Sequence, residues 1–411
     1  MNLFVNYFRL PNRSTCLNLA VARIIICLYL IWKLSTFPFG AMAEFPPQLL
    51  DSNNHALISA LRFGHPALLI AEQSLAVVCL FFCALGLWTG ITSFLAGLLI
   101  THLAGLSFAF NADKTFLLPA YFLIFYGIYR DQDLLTLDRF RSLRKKSQEK
   151  LKILLGAPSN SAPLCTLKWL LLSMAAIYFF TGYAKIKITG WNFDWGSADS
   201  IRSCLLHDTI ERGVVLSPFG RWLLDQSAVL GWIGATTLFL ELSFLAVVLC
   251  RLPITLSVLG LLGMHVGILL SMRTNYLTDM ALVFTAFVAW DSLAARLQRS
   301  RRLLVVYDAK CSFCARVLLL FRSADVSGGL RFIGSGDADV PPGHDYTSAL
   351  YVFDAEGGVF RGYAAFAELF RYLGITRPLA WLMCLGPVEA LGSRIYEWVA
   401  KNRGKISTCG I

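Results

Sequence analysis

The sequence LLVVYDAKCSFC, which runs from Leu303 to Cys314, decides the fold of the C-terminal part of the chain. Five apolar residues come first, a short polar turn follows, and two cysteines separated by two residues end the stretch. An apolar run of this length is typical of a buried strand. A helix that begins at the first cysteine presents free N–H groups and a positive dipole to its sulfur, and both stabilise a thiolate. The stretch therefore predicts a strand, a turn and a helix with a dithiol at its N-terminus.

The spacing of the two cysteines suits a couple that alternates between dithiol and disulfide. In such a couple the first cysteine attacks a substrate disulfide, and the second resolves the mixed disulfide that forms. We therefore expect Cys311 to be the nucleophile and Cys314 the resolving thiol. We also expect Lys310 to add positive charge beside the thiolate.

Zinc binding and inert packing are the alternative interpretations of this pair. A structural zinc site needs four ligands, so two more would have to come from elsewhere. The candidates downstream are His344, Cys384 and Cys409, which form neither a second CxxC nor a pair of histidines. We predict no metal site, and we interpret Cys27, Cys79, Cys83 and Cys250 as small buried apolar residues.

The residues after Leu303 have the pattern of a small α/β domain. Two further strands flank a Glu-Gly-Gly turn, which is a hairpin signal. Strands are predicted at Leu303–Tyr307, Leu330–Ile333, Ala349–Phe353 and Val359–Arg361, and helices at Cys311–Phe321, Tyr363–Leu373, Pro378–Cys384 and Val388–Asn402.

The motif Tyr-Asp-x-x-Cys-x-x-Cys at residues 307–314, together with the tail YEWVAKNR at residues 396–403, resembles the DCC family. These are thioredoxin-like proteins, presumed to be thiol-disulfide oxidoreductases and named for that Asp, Cys, Cys motif. The resemblance implies a thioredoxin-like domain at residues 300–411, a catalytic role for Asp308, a redox-active disulfide, and a protein or small-molecule partner that carries a thiol or disulfide. Ala309 stands where the family usually has glycine, and Asp345–Ser348 stand where typical thioredoxins have a cis-proline.

The composition of the whole chain is that of a membrane protein. Of 411 residues, 56% are hydrophobic and 15% are charged, whereas soluble proteins have about 25% charged residues. This excludes an ordinary soluble enzyme, a disordered chain and a typical nucleic-acid-binding protein. The net charge of +11 fits loops that face the cytoplasm and anionic lipid.

Eight apolar stretches approach the length of about 20 residues that a bilayer-spanning helix needs. They are Leu17–Phe37, Pro66–Trp88, Thr92–Phe110, Phe116–Tyr129, Leu167–Ala184, Ala228–Leu249, Pro253–Met272 and Tyr276–Trp290. The predicted fold is therefore a polytopic α-helical membrane bundle of about eight spans at residues 1–295, followed by a small α/β thioredoxin-like domain.

Lysine and arginine in the loops predict the orientation of these spans. Arg130–Lys152 holds eight basic residues, and four arginines lie between Arg296 and Arg302. Eight spans place both segments and the N-terminus on one side, which the positive-inside rule makes cytoplasmic. We expect a multi-pass protein of the cell membrane with a cytoplasmic C-terminal domain and no cleavable signal peptide.

Ionisable residues within the spans are costly and mark a polar site or pairs across the bundle. They are Arg23, Glu72, His102, Lys185, Glu241, His265, Arg273 and Asp279. Lys185 ends an apolar helix, and an aromatic loop with Trp191 and Trp195 follows it. A lysine in a partly apolar site can act as a base, although a lysine that only reaches to the membrane surface has the same pattern.

The membrane half resembles the HTTM domain, which also forms the core of vitamin K-dependent gamma-carboxylase. The matching residues are Asp113-Lys114-Thr115, Gly182-x-x-Lys185, Ser217-Pro218-Phe219, Glu241 and His265. The resemblance implies that Lys185 is a catalytic base acting on a quinone-type cofactor. Leu117–Ala120 stand where the carboxylase has an Asn-His pair. We predict a cofactor site formed by Arg23, His102, Trp191, Glu241 and His265.

Three functions follow from these patterns. The first is a membrane-bound thiol-disulfide oxidoreductase. It is an enzyme whose dithiol exchanges electrons with a thiol or disulfide partner and could be coupled to a quinone bound in the bundle. The second is a carboxylase-like oxidative membrane enzyme with Lys185 as its base. The third is a transport or scaffold bundle that carries a redox sensor. The lipid bilayer is a predicted partner in each, nucleic acid is not, and the sequence gives no oligomeric state.

Overall fold

The computed structural model describes residues 16–44, 65–109, 116–129, 136–144, 146–156, 165–191, 193–212, 215–273, 277, 284–287, 290, 296–298, 302–325, 327–374 and 376–408. The chain divides into two compact units. The first contains Met1–Ser14, Val21–Asp131 and Pro163–Val288, and the second contains Thr15–Ala20, Gln132–Ala162 and Ala289–Ile411.

All the secondary-structure elements that the structure describes before residue 302 are helices. They are α1 (Cys16–Thr36), α2 (Pro66–Leu85), α3 (Thr89–Ala109), α4 (Leu117–Tyr129), α5 (Leu137–Arg144), α6 (Gln148–Gly156), α7 (Cys165–Ile188), α8 (Ala198–Arg212), α9 (Pro218–Leu224), α10 (Ser227–Leu249) and α11 (Thr255–Met272). Short 3₁₀ helices lie at Phe39–Glu44, Phe193–Gly196 and Thr285–Phe287. Helices α5 and α6 belong to the second unit.

Six of the described helices, α1, α2, α3, α7, α10 and α11, are long and apolar enough to cross a membrane. Their positions agree with six of the predicted spans and indicate a membrane protein. The predicted span at Phe116–Tyr129 forms the 13-residue helix α4, which is shorter than a span needs. Most of the predicted span at Tyr276–Trp290, including Asp279, lies outside the described residues, as does Asp113-Lys114-Thr115. The predicted number of about eight spans is therefore not confirmed.

Small residues bring neighbouring helices of the first unit close together. A Cβ atom added to Gly127 of α4 would lie 2.7 Å from the backbone nitrogen of Phe94 in α3, and one added to Gly97 of α3 would lie 3.0 Å from the backbone nitrogen of Ile124. Side chains at either glycine would collide with the facing helix. Close approach through small residues is the usual means of helix packing in membranes.

The second unit is built on a four-stranded sheet. Its strands are β1 (Leu303–Tyr307), β2 (Leu330–Gly334), β3 (Tyr351–Asp354) and β4 (Val359–Arg361), and its later helices are α12 (Ser312–Ala324), α13 (Tyr363–Tyr372), α14 (Arg377–Met383) and α15 (Gly386–Thr408). The strand order is β2-β1-β3-β4. Strand β1 pairs in parallel with β2 and antiparallel with β3, which pairs antiparallel with β4. Every strand and helix predicted after Leu303 is present, and α15 is longer than predicted.

Alternation along β1 places its side chains on opposite faces of the sheet. Leu303, Val305 and Tyr307 belong to the larger apolar core, which α12 and α13 complete, and Val306 belongs to a smaller core on the other side. The turn after α12 depends on the buried Asp325. Its carboxylate accepts hydrogen bonds from the backbone N–H of Leu330 at 2.8 Å and from the hydroxyl of Tyr372 at 3.0 Å.

Helices α5 and α6 also contribute to the larger core, which the predicted domain limit near residue 300 did not anticipate. Leu143, Leu151 and Leu155 lie in the same apolar cluster as β1 and α12. The Arg139 guanidinium donates a hydrogen bond to the Ser323 hydroxyl at 2.9 Å. The sheet therefore packs against a segment that precedes it by about 150 residues in the chain.

Candidate active site

The turn between β1 and α12 fixes the position of the two cysteines. The backbone N–H of Cys311 donates to the carbonyl of Asp308 at 3.0 Å, and the N–H of Lys310 donates to the Asp308 carboxylate at 2.9 Å. Cys311 is the N-cap residue of α12, and its sulfur accepts a hydrogen bond from the backbone N–H of Cys314 at 3.2 Å. The predicted dithiol therefore lies at a helix N-terminus, where the free N–H groups and the helix dipole favour a thiolate.

The two thiols are neighbours of unequal acidity. Their sulfur atoms are 2.6 Å apart, Cys311 is 8% exposed and Cys314 is partly exposed. A hydrogen bond from the Cys314 thiol lowers the pKa of Cys311 to about 7, and the backbone N–H of Cys314 and the nearby Arg403 act in the same direction. The hydrogen bond with Cys311, burial and the charge of Cys311 raise the pKa of Cys314. Cys311 is therefore the more acidic of the two thiols and forms a thiolate more readily than Cys314.

Arg403 of α15 is the cation of the site. Its guanidinium lies 3.1 Å from the Asp308 carboxylate and 3.7 Å from the Cys314 sulfur, and it donates a hydrogen bond to the carbonyl of Thr347. The sequence pattern predicted this electrostatic role for Lys310 and none for Arg403. Arg403 lies in the tail that carries the DCC resemblance, and that was the only signal of its importance in the sequence.

An apolar cavity of about 410 Å³ adjoins the dithiol. Cys314, Asp308 and Arg403 line it, together with aromatic and aliphatic side chains from α12, α13, α14 and α15. Tyr396 lines it as well, and its hydroxyl oxygen accepts a hydrogen bond from the backbone N–H of Leu350 at 3.0 Å. A molecule bound in this cavity would lie beside Cys314, whose sulfur is 2.6 Å from that of Cys311.

The downstream residues considered for zinc lie in other surroundings. The Cys384 sulfur accepts a hydrogen bond from Arg371 at 3.3 Å, His344 packs against Tyr351 with ring centroids 5.1 Å apart, and Cys409 lies outside the described residues. Within the described part of the chain, no three histidine, cysteine or acidic residues are placed to hold a metal ion.

In the membrane half, the structure brings Lys185 of α7 to Glu241 of α10. The Lys185 Nζ lies 2.6 Å from a carboxylate oxygen of Glu241 and 4.1 Å from the centre of the Trp195 ring. Gly182 permits this approach, because a Cβ atom there would already lie 3.1 Å from the Cβ of Glu241. The paired residues line a cavity of about 700 Å³.

His265 lines the same cavity, and its Nε2 lies 2.7 Å from the Tyr178 hydroxyl. The other residues predicted for a cofactor site do not line it. Arg23 donates to the carbonyl of Cys83 at 2.5 Å, and His102 lies 2.8 Å from the Glu72 carboxylate. The ring of Trp191 is 62% exposed and packs against Tyr183 with centroids 5.5 Å apart. Of the five predicted cofactor-binding residues, Glu241 and His265 therefore line the same cavity. Trp195, and not the predicted Trp191, is the tryptophan that lines it beside Lys185.

Comparison with known proteins identifies the C-terminal part of the chain. Residues 305–409 match the family model of DCC1-like thiol-disulfide oxidoreductases. No curated protein and no solved structure matches the chain. The predicted resemblance of this part to the DCC family is therefore confirmed. The resemblance of the membrane half to the HTTM domain stays a prediction.

Proposed function

We propose that this protein is a membrane-bound thiol-disulfide oxidoreductase in which Cys311 and Cys314 exchange electrons with a substrate disulfide. The observation that carries the proposal is the placement of the two sulfurs, 2.6 Å apart at the N-terminus of α12 and beside the Arg403 guanidinium. The match to DCC1-like thiol-disulfide oxidoreductases supports it. The strand order β2-β1-β3-β4, with the dithiol directly after β1, further supports a thioredoxin-like fold.

The reaction proceeds in two exchange steps. The Cys311 thiolate attacks one sulfur of the substrate disulfide, forms a mixed disulfide and releases the other sulfur as a thiolate, which takes a proton from solvent. Cys314 then loses its proton and attacks the Cys311 sulfur, which releases the second substrate thiol. The substrate gains two electrons, and the protein ends with a Cys311–Cys314 disulfide. A thiol must reduce that disulfide before the next turnover.

Asp308 and Arg403 act on this reaction as positioning residues. The Asp308 carboxylate holds the turn through the N–H of Lys310 and holds the guanidinium at 3.1 Å. Arg403 favours the thiolate on either cysteine through its charge, and Asp308 opposes this for Cys311. The pair therefore sets the acidity of the dithiol through two opposing effects.

The packing of α5 and α6 against the sheet supports the predicted orientation. Two segments that share one core must lie on the same side of a membrane. The helices α7, α10 and α11 are three candidate crossings between these segments, so a fourth crossing at the predicted span Tyr276–Trp290 would return the chain to the same side. With the positive-inside rule, we expect the dithiol to lie in the cytoplasm, and a membrane-impermeant thiol reagent should then label it only after the cells are opened.

A cysteine substitution in the full-length protein tests the proposed activity. Cys311→Ser should abolish reduction of a disulfide substrate, because no thiolate remains to attack it. Cys384→Ser is the matched control, since it removes an exposed thiol in the same unit and should leave the rate unchanged. Activity that survives in Cys311→Ser would refute the proposal.

A second function, binding of a quinone-type ligand in the membrane half, is favoured by one observation. Within the described part of the chain, the buried Oε2 of Glu241 has no hydrogen-bond partner, although buried carboxylate oxygens normally have one. The hydroxyl of a reduced quinone could donate to it, with Lys185 and Trp195 beside the ring. Reduced menadione should then stabilise the wild-type protein against heat more than Glu241→Gln, and equal shifts would refute the idea.

A further inference from the structure

Starting from the proposed function, we propose that the cavity beside Cys314 is a substrate site for small lipophilic disulfides. Such a molecule carries a short alkyl or aryl group on each sulfur and no charge. One apolar group would occupy the cavity, and the disulfide would lie at its Cys314 end, next to the Cys311 sulfur, which is 2.6 Å from that of Cys314. The inference concerns which disulfide the dithiol reduces, and the proposed activity could hold without it.

The size and the walls of the cavity point to a small apolar occupant. Its volume of about 410 Å³ lies within the range of about 300 to 1,000 Å³ that is usual for small-molecule sites. Most of the side chains around it are apolar. They include Phe313, Val317, Phe366, Met383, Ile395 and Val399.

The charged groups of the cavity are confined to its dithiol side. Among the described residues that line it, Asp308 and Arg403 alone carry full charges, and they pair with each other at 3.1 Å. A bound molecule therefore meets a polar, reactive cluster next to Cys314 and apolar walls elsewhere. A disulfide with an apolar substituent likewise has a reactive sulfur end and an apolar end.

Highly charged disulfides and peptides fit this site less well. Oxidised glutathione would bring several charges against apolar walls, where they lose hydration without gaining partners. An extended peptide needs backbone groups with which to pair. The nearby carbonyl of Thr347 already accepts a hydrogen bond from Arg403.

The wall formed by α15 depends on a glycine. A Cβ atom at Gly392 would lie 2.2 Å from the ring of Tyr363, which also lines the cavity. The glycine therefore lets α15 pass directly over the ring. The Tyr363 hydroxyl donates to the carbonyl of Met383 at 3.3 Å, so this polar group already has a partner and leaves an apolar face to the ligand.

The electron balance is that of the proposed activity. The reduced dithiol supplies two electrons to the lipophilic disulfide, which leaves as two thiols, and the protein gains the Cys311–Cys314 disulfide. The bond that breaks is the sulfur–sulfur bond of the substrate. A single turnover starting from the reduced protein needs no further reductant.

The test compares two uncharged disulfides that differ in the apolarity of their ends. The probes are dibutyl disulfide and bis(2-hydroxyethyl) disulfide, each mixed with pre-reduced full-length protein, with oxidation of the dithiol followed by mass spectrometry. We expect dibutyl disulfide to react about ten-fold faster, as burial of about two additional methylene groups would give. Because dibutyl disulfide also enters detergent micelles, the decisive comparison is between variants in the same detergent.

The variant pair changes one aliphatic side chain inside the site and one outside it. Ile395 lines the cavity and is 54% exposed, whereas Leu391 lies on the same helix, is 61% exposed and does not line it. Ile395→Glu should lower the ratio of the two rates about ten-fold, and uncharged Ile395→Gln should lower it in the same direction. Leu391→Glu should leave the ratio at the wild-type value.

Each outcome separates this inference from the proposed function. If both probes oxidise the dithiol and Ile395→Glu leaves the ratio unchanged, the substrate site is refuted while the oxidoreductase activity stands. If neither probe and no unfolded protein with disulfides oxidises the wild-type dithiol, the proposed function itself fails. If an unfolded protein with disulfides is reduced but dibutyl disulfide is not, a protein substrate replaces the small lipophilic one and the inference is overturned.

Discussion

Replacing Arg403 by glutamine should raise the pKa of Cys311 by about one unit. The guanidinium is 3.7 Å from the Cys314 sulfur, which is 2.6 Å from the Cys311 sulfur, so Arg403 lies within about 6 Å of the thiolate. At that distance two unit charges interact by about 2.6 kcal/mol with an effective dielectric constant of about 20. Solvent reaches the side chain, which is 17% exposed, so we expect about half of this energy, or about one pKa unit.

The shift changes the pH profile more than the rate at neutral pH. With the pKa of Cys311 raised from about 7 to about 8, the thiolate fraction at pH 7 falls from about one half to about one tenth. The more basic thiolate is about three-fold more nucleophilic, because reactivity rises with pKa at a Brønsted slope of about 0.4 to 0.5. The rate at pH 7 should therefore fall only about two-fold. In the profile of rate against pH, the midpoint moves up by about one pH unit, and the plateau at high pH rises about three-fold.

Alkylation by iodoacetamide across a range of pH measures this midpoint directly. Trypsin cuts after Lys310 and after Arg316, so one short peptide reports on Cys311 separately from the cysteines elsewhere in the chain. Arg403→Lys keeps the charge and should keep the midpoint near the wild-type value. Arg394→Gln removes an exposed arginine from the same helix and is the matched control. A midpoint that stays at about 7 in Arg403→Gln, or that moves as far in Arg394→Gln, would refute the reasoning.

Three further substitutions test other parts of the account. Asp308→Asn should lower the midpoint of the same alkylation profile, because the carboxylate raises the pKa of Cys311; a higher midpoint would show that its hold on the turn matters more than its charge. Cys314→Ser should accumulate a mixed disulfide on Cys311, seen as an added mass under non-reducing conditions, and its absence would contradict the resolving role. Leu151→Asp places a charge in the sheet's core and should cost at least about 2 to 5 kcal/mol, measured as earlier thermal unfolding, while Ile153→Asp at a 65% exposed position should have little effect.

The local features of the C-terminal unit were readable from the sequence because each depends on neighbouring residues. The apolar run at Leu303–Tyr307 forms β1, and Cys311 caps the next helix as its spacing from Cys314 predicts. Arg403 was missed because its role depends on contacts between residues 89 positions apart. No local pattern distinguishes it from the other basic residues of α15.

The contribution of α5 and α6 was hidden by their charge. The segment Arg130–Lys152 carries eight basic residues, which dominated its interpretation as a cytoplasmic loop. Leu143 lies on α5, whereas Leu151 and Leu155 are four residues apart on one face of α6. Only the folded structure shows that they complete the core of the sheet.

In the membrane half, the sequence identified the ionisable residues but not their partners. Lys185 and Glu241 were both candidates, but their pairing depends on how α7 packs against α10, with Gly182 at the contact. Trp191 lies three residues after the end of α7 with a positive φ of 67°, and its ring packs against Tyr183 in the last turns of that helix. The nearby Trp195 lies over Lys185 instead, which the spacing of two tryptophans in one loop could not reveal.

A redox titration shows directly whether Cys311 and Cys314 form one dithiol–disulfide couple. The full-length protein is equilibrated in buffers of reduced and oxidised dithiothreitol or glutathione, free thiols are blocked, and the peptide from Cys311 to Arg316 is weighed by mass spectrometry. We expect one two-electron transition between a dithiol and a disulfide that joins the two cysteines within this peptide. Two cysteines that remain thiols throughout the range, or that form disulfides only with other residues, would contradict it.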